Sequence, residues 1–361
     1  MAQRNSRIIA LDATLIGGTY TGDSVYWTNL VRALSRIEHE FEFLLLSQNS
    51  PKEINLSSEN FRLVTLPKYP KRWLSWVTMP LLAKKLGAEA FHTQYTLSPF
   101  AKNGITTIHD VSFFLHPEWF RFKDRFLLRT FVPGSAKRAK KVITVSEASK
   151  KDIVRYLNIP ENKVSVTPLG VNENFFPRNE KEISEVLKKY GVERPYLLCV
   201  GTRWPRKNIA LVIQAMRFLP VFIPHKLYVV GKAGWGDEPY HPRVRFLGYV
   251  SDEDLPALYT AADIYLCPSL YEGFGLTVLE AFACGTPVIT SVAGGLCEVA
   301  GDAAVTMENM TAEAWAEAIR ALLADSSKIS ELKEKGFARA KLFNWQKTAE
   351  LTLEVYREVV G

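Results

Sequence analysis

The 361-residue sequence has no run of apolar residues approaching the roughly 18 that a membrane-crossing helix needs. Cysteine is scarce. The four residues Cys199, Cys267, Cys284 and Cys297 include no C-x-x-C pair, which excludes a zinc ribbon or dithiol redox site. They read as four buried thiols in a reducing compartment. No low-complexity tract and no repeat at solenoid period is present. Near the start, Arg7 to Leu11 is too short for the apolar region of a secretory signal. The expectation is a soluble cytoplasmic protein of two ordinary domains, since 47% hydrophobic residues over this length can bury two cores without staples.

What charge there is lies unevenly. Residues 1–180 hold 25 Lys and Arg against 16 Asp and Glu, whereas residues 181–361 hold 20 against 22. The basic half suits anionic partners such as lipid headgroups or phosphate-bearing acceptors, or is simply solvated lysine. No nucleic-acid-binding motif accompanies the charge, so nucleic acid is not expected as a partner.

Short aliphatic runs alternate with helical spacing in both halves. Ile8–Leu11, Phe41–Leu46, Ile105–Ile108 and Lys141–Val145 read as buried strands in the first half. Tyr196–Val200, Lys226–Val230, Val244–Phe246, Asp263–Cys267 and Pro287–Thr290 do so in the second. Helices are expected at Ser24–Arg36, Asn208–Phe218, Asp252–Ala261, Leu276–Cys284 and Ala312–Asp325. This alternation predicts an α/β fold with a doubly wound parallel sheet in each half. Prolines and a glycine between Pro168 and Pro195 place the linker at about Leu169–Arg178. The amphipathic end, Trp345–Val360, is expected to return to the first domain. The domains are read as 1–172, 173–343 and a final helix at 344–361.

The segment Ile264 to Thr290 carries the strongest chemistry. A strand ends at Pro268, a loop bears Glu272-Gly273-Phe274-Gly275, and a helix opens at Leu276. A helix start offers unpaired N–H groups and partial positive charge, a seat for phosphate. Thr277 adds a hydroxyl in the first turn, and Glu280 leans back toward the same end. A carboxylate there suits ribose hydroxyls. The two glutamates also read as a pair that complements the helix dipole. In GTRWPRKN, Gly201 follows a strand, and Arg203, Arg206 and Lys207 precede a helix; such cations meet a diphosphate with charge-assisted bonds, or are solvated. In the first half, His109 and Asp110 end a buried strand, where ligands collect in open sheets, a core histidine being the alternative. Gly17, Gly18 and Gly22 lie between the first strand and helix. Asp252, Glu253 and Asp254 are read as a helix's first turn capped by Ser251, not as metal ligands.

With Glu272 and Glu280 in Glu-x7-Glu spacing, EGFGLTVLEAFACGTPVI resembles the signature of glycosyltransferase family 4, whose fold is GT-B. Gly294-Gly295 and Glu298 match further on, and the resemblance runs from about residue 7 to the end. It implies two Rossmann-like domains facing across a cleft, an acceptor-side domain first and a nucleotide-sugar domain second. By the same resemblance Glu272 faces the donor sugar, Glu280 holds the ribose, and Lys207 with Arg206 or Arg203 grips the diphosphate. Gly231 in VVGKAGWG and the Phe274–Thr277 stretch (Phe274, Gly275, Leu276, Thr277) belong to the donor site, and backbone at Tyr249 and Val250 meets the base. His109 contacts the sugar near its anomeric centre, and Gly22 and Gly18 belong to a turn that touches phosphate or acceptor. The chain departs from the family pattern at Thr202, Leu169 and Asp23-Ser24.

The activity implied is retaining transfer of a hexose, mannose favoured, in polysaccharide biosynthesis. GDP-mannose or a UDP-sugar is the donor and a glycan or polyprenyl-linked glycan the acceptor. His109, Lys207, Arg206 and Glu272 are the catalytic set, and neither cofactor nor metal is required. Rival readings are a GT-B sugar-nucleotide epimerase, a glycan phosphorylase and a non-catalytic nucleotide-sugar binder. Basic residues Lys68, Lys71, Arg72, Lys84 and Lys85, interleaved with Trp73 and Trp76, suit docking at the inner face of an anionic membrane or a core-facing aromatic pair.

Overall fold

The structure is a computed structural model and describes residues 7–16, 22–48, 60–67, 73–235 and 239–361. Two compact units divide the chain: Met1–Gly170 with Trp345–Gly361, and Val171–Asn344.

The first unit holds a seven-stranded parallel sheet: β1 (Arg7–Asp12), β2 (Phe41–Ser47), β3 (Phe61–Thr65), β4 (Ala90–Gln94), β5 (Gly104–Thr107), β6 (Lys141–Thr144) and β7 (Val164–Val166). Its order is β3-β2-β1-β4-β5-β6-β7. The second holds six parallel strands, β8 (Tyr196–Val200), β9 (Lys226–Val230), β10 (Val244–Gly248), β11 (Ile264–Cys267), β12 (Val288–Ser291) and β13 (Val305–Met307), in order β10-β9-β8-β11-β12-β13. Both are doubly wound, and the order reverses between β1 and β4 and between β8 and β11. Ligand crevices form outside the carboxyl ends of strands at such reversals. Continuous apolar strands such as FEFLLLS and YLLCV are what a sheet covered on both faces requires.

Four strands are not evident in the sequence. β4 reads AFHTQ, whose His92 and Thr93 look polar yet are buried, and β3 is a half-exposed edge strand. β7 and β13 have three residues each. The helix expected at Asp252–Ala261 is corrected to Leu255–Ala261, with Pro256 in its first turn. Asp252 and Glu253 therefore precede the helix. Asp254 accepts hydrogen bonds from Lys189, Tyr190 and Ser251, at 2.7, 2.8 and 2.8 Å, which ties this helix to the one at Glu180–Tyr190. Asn208–Phe218 shortens to Ile209–Ala215. Cys199, Cys267 and Cys284 are buried, but Cys297 is exposed, because it lies on the outer side of a five-residue helix.

Helix Trp345–Val360 is part of the first unit. Thr348, Ala349, Thr352, Leu353 and Tyr356 form its buried stripe. Thr348 donates to the Pro168 carbonyl at 2.6 Å, and Arg357 forks onto Glu40 at 2.7 and 3.0 Å.

Gly231 marks a place where the backbone allows no side chain. Its φ is +136°, and a Cβ there would run into the carbonyl oxygen of Gly201. Gly191, a helix-ending residue at φ +64°, has open space around it. Alanine at Gly191 is expected to cost about 1 kcal/mol. Alanine at Gly231 is expected to cost more than about 2 kcal/mol, because strain and clash add. Urea unfolding midpoints of the two variants check the difference.

Candidate active site

In the second unit, the loops after β8 and β11 meet at the switch point. The first runs from Gly201 into a 3-10 turn at Pro205–Lys207, and the Arg206 carbonyl accepts from Leu270 N at 2.8 Å. The second leads to helix Leu276–Ala283. Between them sits Glu272, only 7% exposed. Its Oε1 accepts from Lys207 Nζ at 2.5 Å and from Ser269 Oγ at 2.7 Å, and its Oε2 accepts from Arg206 at 2.7 Å. Arg206 also donates to the Tyr271 carbonyl at 3.0 Å. A buried carboxylate is tolerable only when paired and hydrogen-bonded, and here both conditions hold. Burial alone would raise the Glu272 carboxyl, but the Arg206 and Lys207 charges with bonds from Lys207 and Ser269 outweigh it and hold it at about 2.

The glycines flagged near this loop have a mechanical reason. Gly295 N donates to the Glu272 carbonyl at 2.8 Å, and a Cβ on Gly294 would strike that same carbonyl. Gly275, at φ +125°, caps helix Leu276–Ala283, and a Cβ there would press on Leu296. Leu276 and Thr277 at the helix start are half-buried. Thr277 shares a side-chain hydrogen bond with Tyr265. Phe274 packs its ring edge-on against Phe343 at 5.7 Å, which leaves its backbone to the loop.

Glu280 lies one turn into that helix and accepts from the Tyr259 hydroxyl at 3.0 Å. Burial pushes its carboxyl up to about 8, with the Tyr259 bond opposing. The two glutamates of the Glu-x7-Glu pair thus differ: Glu272 is charged and gripped, and Glu280 holds its proton at neutral pH.

Arg203 lays its guanidinium over the Phe246 ring at 4.3 Å. Val250 is buried, whereas Tyr249 is exposed with Lys232 over its ring at 5.8 Å. Gly231 lets the β8 and β9 loops run side by side, with Arg203 N donating to the Lys232 carbonyl at 3.1 Å.

In the first unit, His109 follows β5 by two residues. Tyr26 meets it edge-on at 4.9 Å and Tyr95 at 5.9 Å. Among the described residues its Nε2 is buried without a hydrogen-bond partner, 3.6 Å from Asp23 Oδ1. Burial lowers its pKa, with Asp23 and Asp110 opposing, so the ring is neutral. Asp110 accepts from Ser112 N and Oγ at 2.9 and 2.6 Å, and so fixes the turn after His109. Gly22 opens helix Gly22–Leu34 with nothing within 4 Å of a would-be Cβ. Gly17 and Gly18 lie outside the described residues, as do Lys68, Lys71 and Arg72.

Several contributors escaped sequence reasoning. Ser269 and Tyr259, which hold the two glutamates, sit in apolar strand-end and helix contexts with no chemical signature. The one available signal for Ser269 was its position three residues before Glu272 in the same loop.

Comparison with known proteins gives the family and the fold. The family model "Glycosyl transferases group 1" matches residues 179–339, and "Glycosyltransferase Family 4" matches residues 20–175. "O-antigen chain mannosyltransferase B" of Escherichia coli is 37% identical over 269 residues, which cover 71% of this chain and 70% of that protein. Among solved structures, sucrose-phosphate synthase from Thermosynechococcus elongatus superposes with TM-score 0.75 at 24% identity, over 98% of this chain and 99% of that one. Anabaena Alr3699/HepE in complex with UDP-glucose superposes with TM-score 0.73 at 20% identity, over 98% and 99%. These structural likenesses define the class: the fold is that of the GT-B glycosyltransferases. The sequence relationship is more particular, and the chain belongs to glycosyltransferase family 4. It is a glycosyltransferase.

The raised Glu280 carboxyl gives a pH signature. Between its ordinary value of 4.5 and about 8 the folded chain binds more protons than the unfolded one, so stability falls as pH rises through that window. Glu280→Gln removes the titration. The melting temperature of the native chain relative to this variant is expected to drop between pH 6 and pH 9, as calorimetry at matched ionic strength would measure.

Proposed function

We propose that the chain moves a hexose, mannose favoured, from a nucleoside diphosphate sugar to a glycan or lipid-linked glycan acceptor, with retention at the anomeric carbon and without a metal. The observation that carries this reading is the Arg206–Lys207–Glu272 cluster at the strand-order reversal. Two cations face one carboxylate beside a helix start, so the cluster keeps a positive excess that a diphosphate neutralises. When the diphosphate takes the cations, Glu272 is released toward the sugar hydroxyls. The named activity of the E. coli relative supports mannose, and the UDP-glucose complex of the Anabaena protein supports a nucleotide-sugar donor. GDP-mannose is the donor favoured, with UDP-sugars as the alternative.

In this mechanism the bond between the anomeric carbon and the phosphate oxygen breaks, and its electron pair stays on the phosphate. Lys207, Arg206 and the backbone N–H groups at Leu276 stabilise that charge, each such donor being worth about 3 kcal/mol. The acceptor hydroxyl attacks the same face, and its proton passes to the departing phosphate oxygen. No protein base and no divalent cation is needed, since fixed cations meet the charge. His109, neutral and fixed, positions the sugar; Glu280 meets the ribose.

Lys207→Ala is expected to lower kcat/KM by about 100-fold or more while the fold persists. An unchanged kcat/KM removes Lys207 from the phosphate site. Thermal shifts with GDP-, UDP- and ADP-sugars identify the donor, the anomeric coupling in the product's NMR spectrum reports retention, and activity that survives EDTA supports metal independence.

The basic first half we assign to peripheral contact with an anionic membrane, at its cytoplasmic face. No helix among the described residues is long and apolar enough to cross a membrane. Trp76, half-buried, packs edge-on against Phe131 at 5.1 Å, whereas Trp73 is exposed. Exposed Phe122 and Phe126, beside Arg121, Lys123 and Arg125, add an aromatic and cationic face on helix Phe122–Arg138. Flotation with liposomes containing anionic lipid is expected to carry the protein; failure to float at low salt refutes the contact.

A further inference from the structure

Ser269 is the uncharged member of the group that surrounds the Glu272 carboxylate, and it lies wholly within the second unit. It follows β11 by two residues and is 1% exposed. Its carbonyl accepts from Ser291 Oγ at 2.5 Å, which ties it to the end of the neighbouring strand β12. Its hydroxyl donates to Glu272 Oε1 at 2.7 Å, the same oxygen that takes Lys207 Nζ at 2.5 Å.

The three partners of Glu272 are not held alike. Arg206 also donates to the Tyr271 carbonyl at 3.0 Å, so the backbone fixes its guanidinium independently of the carboxylate. Lys207 carries its ammonium on a flexible stem, and among the described residues its side chain bonds to Glu272 alone. A carboxylate oxygen accepts two hydrogen bonds, and here Lys207 and Ser269 fill both places on Oε1. A diphosphate that draws Lys207 toward itself therefore opens one of them. Ser269, neutral, buried and tied to β12, does not follow the ammonium. A buried carboxylate that gives up a cation needs such a remaining donor, because an unsatisfied charge is costly to keep out of water.

We infer that Ser269 is a positioning residue: its hydroxyl stays on Glu272 Oε1 when the diphosphate of the donor takes Lys207, and it holds the carboxylate with the vacated place open to a sugar hydroxyl. The inference rests on the reading of this cluster as the diphosphate site of a hexosyltransferase. It has a pH consequence. Facing the carboxylate are Arg206 and Lys207 from the loop after β8 and, from β11, the Cys267 thiol, which burial keeps protonated. Withdrawal of Lys207 removes one of the charges that hold the Glu272 carboxyl low, so it titrates higher in the donor complex, and the Ser269 bond opposes that rise.

The experiment is a double-mutant cycle of Ser269→Ala with Glu272→Gln, read by calorimetric titration with GDP and UDP. In the free protein Ser269→Ala leaves Glu272 on two cations; in the complex it leaves the carboxylate short of a donor. The substitution is therefore expected to weaken diphosphate binding about 10-fold in the native background, and less than about twofold beside Glu272→Gln. In turnover, the acid limb of the kcat–pH profile, which reports the donor complex, is expected to move up by about one pH unit in Ser269→Ala. Ser269→Thr, which keeps the hydroxyl, retains the native limb. Ser269→Cys, close in shape but a weak donor, carries the same comparisons if the alanine variant fails to fold. An equal loss of affinity in both backgrounds, or an unmoved limb, shows a packing role and overturns the inference, while native turnover leaves the transferase reading intact. Native protein that binds neither nucleotide, or transfers from no nucleotide sugar, overturns both.

Discussion

Everything proposed for the second unit depends on one buried carboxylate being outnumbered by its cations. Glu272 is almost wholly withdrawn from water, and it stays ionised because Arg206, Lys207 and Ser269 converge on its two oxygens. With three partners, the loss of one leaves the carboxylate still held by the other two, whereas a lone buried charge would be costly. The grip also fixes the loops. Arg206 ties to the Tyr271 carbonyl, Leu270 to Arg206, and Gly295 to Glu272. The cations are thereby fixed in place, as the electrostatic role proposed for them requires.

The environments of the two glutamates separate their roles. Glu272 meets full positive charges and remains a carboxylate; Glu280 meets a neutral tyrosine hydroxyl in a buried setting and keeps its proton. A charged group suits the exchange of cations with a diphosphate. Eight residues of spacing set the pair on one loop and helix, but the spacing does not distinguish the members.

Much of this was legible beforehand. Apolar strands such as FEFLLLS and IYLC announced a covered parallel sheet, and Glu272, Glu280, Lys207 and His109 were picked out from strand-loop-helix context. What was missed has a common cause. β4 hides because its His92 is satisfied by a threonine and by Tyr356, which is 264 residues away in the chain. Helix Leu255–Ala261 starts late because Asp254 is recruited by Lys189 and Tyr190 from another helix. For Trp76 a membrane-facing and a core-facing reading were both open, and its contact with Phe131 is set by a helix some fifty residues further on.

By itself, then, the sequence determined the class of fold, the order of its elements and the loops that carry charge, because hydrophobic period and helix-start chemistry are local properties of the chain. Only the tertiary structure decided which arginine stands with Lys207, which glutamate is ionised, and that Asp23 confronts His109. Those outcomes depend on burial and on distances between residues far apart in the chain, and neither quantity exists until the sheets have formed.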